Sequence, residues 1–540
     1  MMLIGVVPVN RASALNDKEK EEEEEPMVLH HEFIKKARKY GKRMAIIDRT
    51  TDRRISYSKA LIASLMLAKR FRQVEEGTIG IMIPTSAGSM LSILGVLMAG
   101  KVPVMINYST GAADNCEMAQ TRCGCKTIVT SRALIEKIGC RPVEDMVFLE
   151  DLMKGFTTRD KLRAALRAKL PTRLILSALP PAAPDDDVVI LFTSGSEKDP
   201  KAVELTHRNI GSNVRAVAEV MELSSQDVMM AVLPLFHVFG QTTNFWLPLT
   251  TGMTAVTCAN PLDYKSIPRY MREEQATVIT ATPIFLAGYL RESKSGDFKS
   301  VRLMVSGADK TPDWLRDGYR EKHSIELLEG YGTTETSPVV SVNSHEANRP
   351  GSIGKVLPGV QVKIADLRTG SVCPIGQEGK ILVKGHLVMK GYFGDPEETS
   401  LCLMDGWYDT GDMGVLDQEG FLWHRGRLRR FVKIGGEMVS LVKTESILED
   451  LLPEDVSCCI VAVPDALKGS RIVAAVTAEV DEMEMRRRLA EKLPPIAIPK
   501  SFVFFSELPK MGSGKVDFRS LTTMVQEKAQ KSPAGEGPIG

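Results

Sequence analysis

The sequence predicts an α/β protein: a large N-terminal domain with mixed sheets, followed by a small C-terminal α+β domain. Three observations lead there. Short apolar strands alternate with amphipathic helices through the long middle of the chain, the pattern of packed α/β units. From Val360 to Gly385 the segments turn shorter and β-like, with glycine turns, as in a small β-rich subdomain. After a boundary at Gly426 to Arg430 comes a separate short β/α/β pattern. A chain of 540 residues is long enough for more than one core.

Taken in order, residues 1–27 are expected to be a disordered acidic segment, because the glutamate block within Lys18 to Pro26 is solvated rather than packed. The large domain is expected over 28–428. Its strands are placed at Thr78 to Ile83, Val188 to Phe192, Val228 to Leu233, Thr254 to Cys258, Thr277 to Thr280, Val301 to Val305 and Ile325 to Leu328. The helix Thr206 to Met221 puts Ile210, Val214, Val217, Ala218 and Met221 on one face, a core stripe. The small domain is expected over 429–525, from Val456 to Val463, Arg471 to Val480 and a helix near Met483 to Lys492. The remainder, 526–540, is rich in Lys, Gly and Pro and reads as a disordered tail.

Composition excludes several classes. A net charge of +1 with 43% hydrophobic residues describes an ordinary globular protein and argues against bulk nucleic-acid binding. Nine cysteines are too few for a disulfide scaffold, and Cys123-Gly124-Cys125 lacks a partner pair at zinc-ligand spacing. Reduced, buried thiols and a cytoplasmic location are expected. No apolar run reaches the ~18 to 20 residues of a membrane span, so membrane contact is at most peripheral. Met1 to Val9 lacks a basic leader and makes a poor signal peptide.

The chemistry concentrates in short loops. The strand ending at Phe192 runs into Thr193-Ser194-Gly195-Ser196 and then Lys201, which offers hydroxyls, backbone N–H groups and a cation to phosphate oxygens. A plain turn between two strands would have similar composition. Tyr331-Gly332-Thr333-Thr334-Glu335, Trp407 to Asp412, Gly426-Arg427-Leu428-Arg429 and Gly512-Ser513-Gly514-Lys515 follow in that order. Gly-Ser-Gly-Lys is no Walker loop, because Val516 stands where Ser or Thr would bind the metal.

Together these motifs resemble the adenylate-forming superfamily of acyl-CoA synthetases, peptide-synthetase adenylation domains and luciferases, over Val28 to Leu521. Gly100 to Tyr108, Ser194 to Glu197 and Gly307 to Lys310 look most like the synthetase half of bacterial acyltransferase/acyl-[acyl-carrier-protein] synthetases. None of the eight histidines has Asp five positions on, so the His-x4-Asp mark of the acyltransferase half is missing.

The resemblance implies a reaction: a fatty acid plus ATP gives acyl-AMP, and a phosphopantetheine thiol displaces AMP. Acyl-carrier protein is the expected acceptor and coenzyme A the alternative. A non-catalytic nucleotide- or acyl-binding regulator is a rival of another class, opposed by intact Glu335, Asp412 and Lys515. By the same resemblance, Thr193, Ser194, Gly195, Ser196 and Lys201 hold the phosphates. Tyr331 stacks on adenine, Gly332 and Thr333 belong to the same loop, Thr334 contacts the α-phosphate and Glu335 holds Mg²⁺. Gly307 and Ala308 line the adenine pocket, or else form a tight turn. Asp412 and Arg427 bind ribose, or else make a structural ion pair. Lys515 serves adenylation, Lys433 the second half-reaction, and Arg429 is the hinge. His237, with Phe236, Phe239 and Gly240, borders the acyl pocket, or else is a satisfied core histidine. The loop departs from the family pattern at Lys198 and Ala202, where further glycines are usual, and Lys198 is less free than glycine to take φ > 0.

Overall fold

The computed structural model describes residues 26–193, 200–434, 437–453, 456–465, 469–510 and 516–531. The acidic stretch before residue 26, the loop residues Ser194, Gly195 and Ser196, and Lys515 lie outside the described residues. So does the tail from 532, whereas 526–531 belong to the helix Phe518–Lys531. That helix persists past Gln526 because Leu521 and Val525 on its inner face are fully buried, which corrects the expected start of the tail.

Two large sheets dominate. In one, the strands Val102–Met105, Thr78–Met82, Ile128–Thr130 and Met146–Phe148 run parallel, and Asp187–Phe192 joins Val102–Met105 before turning back antiparallel into Ala202–Thr206. The other contains Thr254–Thr257, Val228–Ala231, Val278–Ala281, Leu303–Ser306 and Leu327–Gly332 in parallel register, with Val339–Val342 antiparallel at one side. The helix Ala87–Met98 is buried at every position but Gly88, as expected of a helix that is apolar all round and enclosed between layers.

Strand alternation decides what faces the site. Val278, Leu303 and Val305 join the cluster containing Val217 of the helix His207–Val220 and Met221 just after it, while Ile279 and Met304 join Phe285, Tyr289 and Tyr319 on the opposite face. Thr206 caps that helix through a box with Asn209, whose amide also donates to the His386 and Val388 carbonyls at 2.8 and 2.7 Å. This anchors the helix to the β-rich region built from Val360–Ala365, Gly379–Gly385, Trp407–Leu416 and Leu422–Arg427.

Beyond the turn Leu428–Arg430 lie the hairpin Phe431–Ile434/Glu437–Ser440 and a sheet of Cys458–Asp465, Gly469–Val476 and Ser501–Phe504 with flanking helices. The large and small domains of the predicted α/β fold are thus both present. Cys458 and Cys459 are buried free thiols in a strand, as their apolar surroundings imply.

Candidate active site

A cavity of about 530 Å³ opens where the carboxyl ends of the second sheet's parallel strands meet the β-rich region. Thr193, Lys201, His237, Phe239, Gly307, Ala308, Tyr331 and Arg427 are among its walls, together with Gly332 to Glu335. Residues far apart in sequence converge there because parallel strands deliver their following loops to one edge.

At the candidate phosphate loop, the Thr193 N–H donates to the Lys201 carbonyl at 2.9 Å and the Lys201 N–H to Thr193 Oγ1 at 3.0 Å. Lys201 Nζ is ion-paired with Glu398 and lies 4.6 Å from the centre of the Tyr392 ring. The Tyr392 hydroxyl donates to Glu335 Oε1 at 2.9 Å, and burial followed by the Glu335 charge pushes its phenol far up. Tyr392 and Glu398 therefore link the candidate phosphate lysine to the candidate metal carboxylate. Sequence reasoning missed both. The signal was only Gly391-Tyr392-Phe393-Gly394-Asp395-Pro396, an ordinary turn composition before a helix.

The loop after Leu327–Gly332 is tightly drawn. A Cβ on Gly332 would stand 1.6 Å from the Pro338 carbonyl oxygen, so only glycine fits. Thr336 Oγ1 accepts from the Thr333 N–H at 2.9 Å and donates to the Pro338 carbonyl at 2.7 Å, which aims Thr334 and Glu335 at the cavity.

Asp412 sits behind the lining rather than on it. Its Oδ2 accepts the Tyr331 hydroxyl at 2.6 Å; Oδ1 is 3.4 Å from Arg427 Nε and 3.6 Å from His424 Nε2. Burial raises the Asp412 carboxyl, but the His424 contact, the Arg427 charge and the Tyr331 hydroxyl outweigh it and hold the group below the usual carboxylate range. Oδ1 has no hydrogen bond among the described residues, so a buried carboxylate oxygen keeps acceptor capacity.

Away from the loops the cavity turns apolar. Met229, Val278 and Leu303 lie side by side in one register row, roofed by Val217, Met221 and Leu223; Thr280 and Val305 form the next row towards Thr282 and Gly307. Beneath that floor, Arg302 binds Asp227 through Nε and Nη2 at 2.7 Å each and donates to the Glu222 carbonyl at 3.1 Å. A charge pair therefore lies at the amino ends of these strands, just before Val228–Ala231 and Leu303–Ser306.

His237 and Phe239 border the cavity, whereas Phe236 and Gly240 do not. Phe236 packs edge-on against Tyr108 at 4.9 Å in the core, and a Cβ on Gly240 would meet the Pro234 carbonyl oxygen at 2.3 Å. Those two act behind the wall. Arg429 lies in the turn Leu428–Arg430 and Lys433 in the adjoining strand.

By sequence, Arg429-Arg430 with Lys433 and the run Arg486-Arg487-Arg488 suggest a basic surface that would steer an acidic carrier protein, but Arg430 and the second run have local partners. Arg430 is 7% exposed, pairs with Glu445 at 2.6 Å and stacks 4.1 Å from the Phe518 ring centre. Arg486 pairs with Glu482 and Arg487 with Glu484 on their own helix, and Arg488 donates to the Leu451 carbonyl. Each of these arginines thus has a local partner within the small domain.

The family model of the AMP-binding enzymes matches residues 33–393, and that of the AMP-binding enzyme C-terminal domain matches 445–515. The chain belongs to the AMP-binding enzyme family. Its superfamily resemblance is thus established, and it is an AMP-forming ligase. Among curated relatives, the long-chain-fatty-acid–CoA ligase of Bacillus subtilis (strain 168) is 28% identical over 520 residues, covering 89% of this chain and 90% of that one. A 4-coumarate-CoA ligase 1 of Narcissus pseudonarcissus is 25% identical, covering 90% and 92%. ATP-bound MatB from Rhodopseudomonas palustris shares the fold, with a TM-score of 0.81 at 24% identity over 93% of this chain and 100% of that one. These relatives are named for coenzyme A ligation or share only the fold, and none supports the carrier-protein branch.

Proposed function

We propose that this enzyme activates a straight-chain fatty acid with ATP and transfers the acyl group to coenzyme A. The observation that carries the reading is the single cavity in which phosphate-handling loops meet an apolar slot. A carboxylate oxygen attacks the α-phosphorus, the bond to the β-phosphate oxygen breaks and pyrophosphate leaves; a thiol then attacks the acyl carbon and AMP leaves. Two anions must meet in the first step, so placed donors and cations matter more than an acid or base.

Thr193, Thr334 and Lys201 are assigned to the phosphates, with Ser194, Gly195 and Ser196 completing the loop. Tyr331, Gly307 and Ala308 are assigned to the base, and Asp412 with Arg427 to the ribose. His237 and Phe239 are assigned to the acyl entrance. Residues 429–525 form the lid domain, turning about Arg429, with Lys515 acting in adenylation and Lys433 in thioester formation. Among the described residues no cluster of three His, Cys, Asp or Glu could hold a metal. Mg²⁺ arriving on nucleotide phosphates keeps several waters and needs only one or two carboxylates, and Glu335 on the cavity wall fits that demand. When bound, the ion would neutralise phosphate charge.

Coenzyme A is preferred to carrier protein because the arginines that would steer an acidic protein are buried or locally paired. Isotope exchange between pyrophosphate and ATP, dependent on fatty acid and abolished by Lys515→Ala, tests the adenylation. Thioester formation with coenzyme A and with holo-carrier protein tests the acceptor. Exchange that persists in Lys515→Ala, or loading of carrier protein in preference to coenzyme A, would refute the corresponding assignment.

A further inference from the structure

The helix Thr158–Lys169 is built inside out. Ala164 and Ala168 are buried against the protein, whereas Leu162 and Leu166 are 60% and 57% exposed. At about 100° per residue, these leucines lie on the side opposite the alanines, pointing straight out from the domain. Leu170 and Leu174 extend the exposed apolar face to the next short helix, Thr172–Ser177, at 40% and 51%. Single exposed leucines need no explanation, but a run of them on one outward face does.

The surrounding charge is one-sided. Arg159, Arg163, Lys169 and Arg173 are exposed beside the leucines, with Lys161 on the flank. The acid in this stretch, Asp160, is turned inward: it forms the capping box with Thr157 and pairs with Lys69 at 2.6 Å, its side chain only 13% exposed. Nothing acidic on the helix itself therefore neutralises the outward face.

We propose that this leucine face, with its rim of cations, docks on the surface of an anionic lipid bilayer. Leucines flanked by Lys and Arg on a surface helix suit the boundary between headgroups and acyl chains, where the apolar side chains enter and the cations meet lipid phosphates. No helix among the described residues is long and apolar enough to cross a membrane, so the contact lies in the plane of the interface. A second copy of the chain is a poorer occupant, because a two-fold contact would set the same cations against each other. The inference is independent of the acyl substrate and the acceptor.

The test is sedimentation of the full-length protein with vesicles of phosphatidylcholine alone and of phosphatidylcholine mixed with phosphatidylglycerol, without ATP or fatty acid. Binding to the anionic vesicles should be at least about tenfold stronger and should fall as salt rises. L162S/L166S should lose most of the binding, roughly tenfold or more, and R159E/R163E should lose the preference for anionic lipid. Unchanged circular dichroism and melting would show that these outward-facing variants remain folded. Equal binding of wild type and L162S/L166S would overturn the proposal. So would self-association without lipid that L162S/L166S abolishes, which would assign the face to a second copy. Failure of the full chain to bind, relieved by deleting residues 1–25, would assign the cations to the N-terminal glutamates and also overturn it.

Discussion

Val305→Phe should convert the enzyme from using decanoate to using only shorter acids. Val305 lies in the middle row of the apolar slot, two residues along its strand from Gly307 and two from Leu303 in the floor row. At about 3.3 Å per residue, the four residues from Thr282 to Val278 give a depth of roughly 13 Å. An extended alkyl chain with C–C bonds of about 1.5 Å advances roughly 1.3 Å per carbon, so the slot holds about ten carbons before the Arg302–Asp227 pair. A phenyl group at the middle row leaves about half that depth and expels roughly five methylenes. At about 0.8 kcal/mol per methylene the loss is near 4 kcal/mol, or about a thousandfold in kcat/KM for decanoate. Pentanoate should stay within about threefold, since its tail ends above the substitution. The assay is kcat/KM for thioester formation across acids of increasing length. Overpacking costs about 1–3 kcal/mol of stability, so the melting temperature of the variant must be checked. An equal fall for pentanoate and decanoate would refute the placement of the tail.

Glu398→Gln removes the partner of Lys201, so KM for ATP should fall by about three- to fivefold, matching the roughly 1 kcal/mol of a partly exposed ion pair; an unchanged KM would refute competition between Glu398 and phosphate. His30 and His207 are buried neutral, the former held well below its ordinary value and the latter pushed down to about 3, chiefly by burial. The unfolded chain takes up these protons near pH 6.5 and the folded chain does not, so stability present above that pH is lost below it, by about 3 kcal/mol for the two at pH 5.5. Urea midpoints at pH 7.5 and 5.5 measure this, and His207→Gln should remove about half of the difference.

Most of the fold was legible because its strands are short apolar runs with clear turn punctuation. Thr277 to Thr280 was expected and Val278–Ala281 is observed; Thr206 to Met221 was expected and His207–Val220 is observed, bounded by its Thr206 cap. The loops that follow the strands Leu303–Ser306 and Leu327–Gly332 line one cavity because parallel strands bring their ends to one edge. What could not be read were partners distant in sequence. Lys201 and Glu398 are 197 positions apart, and the second residue sits in a helix with no distinguishing pattern. Nor could the sequence tell a surface arginine from Arg430, since its burial depends on Phe518 and Glu445 arriving from separate elements of the small domain.

The same distant contacts explain how a cavity proposed to take anions can hold its charges when none is bound. A lysine facing only other cations and dipoles would pay a desolvation cost, and so would an unpartnered carboxylate such as the one proposed to hold the metal. Here Lys201 rests on Glu398 and the Tyr392 ring, and Tyr392 in turn satisfies Glu335. Each temporary partner is weaker than phosphate or a divalent ion, because the Lys201–Glu398 pair is still partly exposed and the Tyr392–Glu335 bond has a neutral donor. Ligand binding therefore exchanges contacts rather than creating charges from nothing, and Tyr392 is the shared member that couples the two exchanges. Tyr392→Phe separates them: it keeps the ring beneath Lys201 and removes the donor to Glu335. The Mg²⁺ dependence of adenylation should shift by a fewfold, while KM for ATP at saturating Mg²⁺ holds. Coupled changes in both would mean that the phenol, and not the ring, supports Lys201.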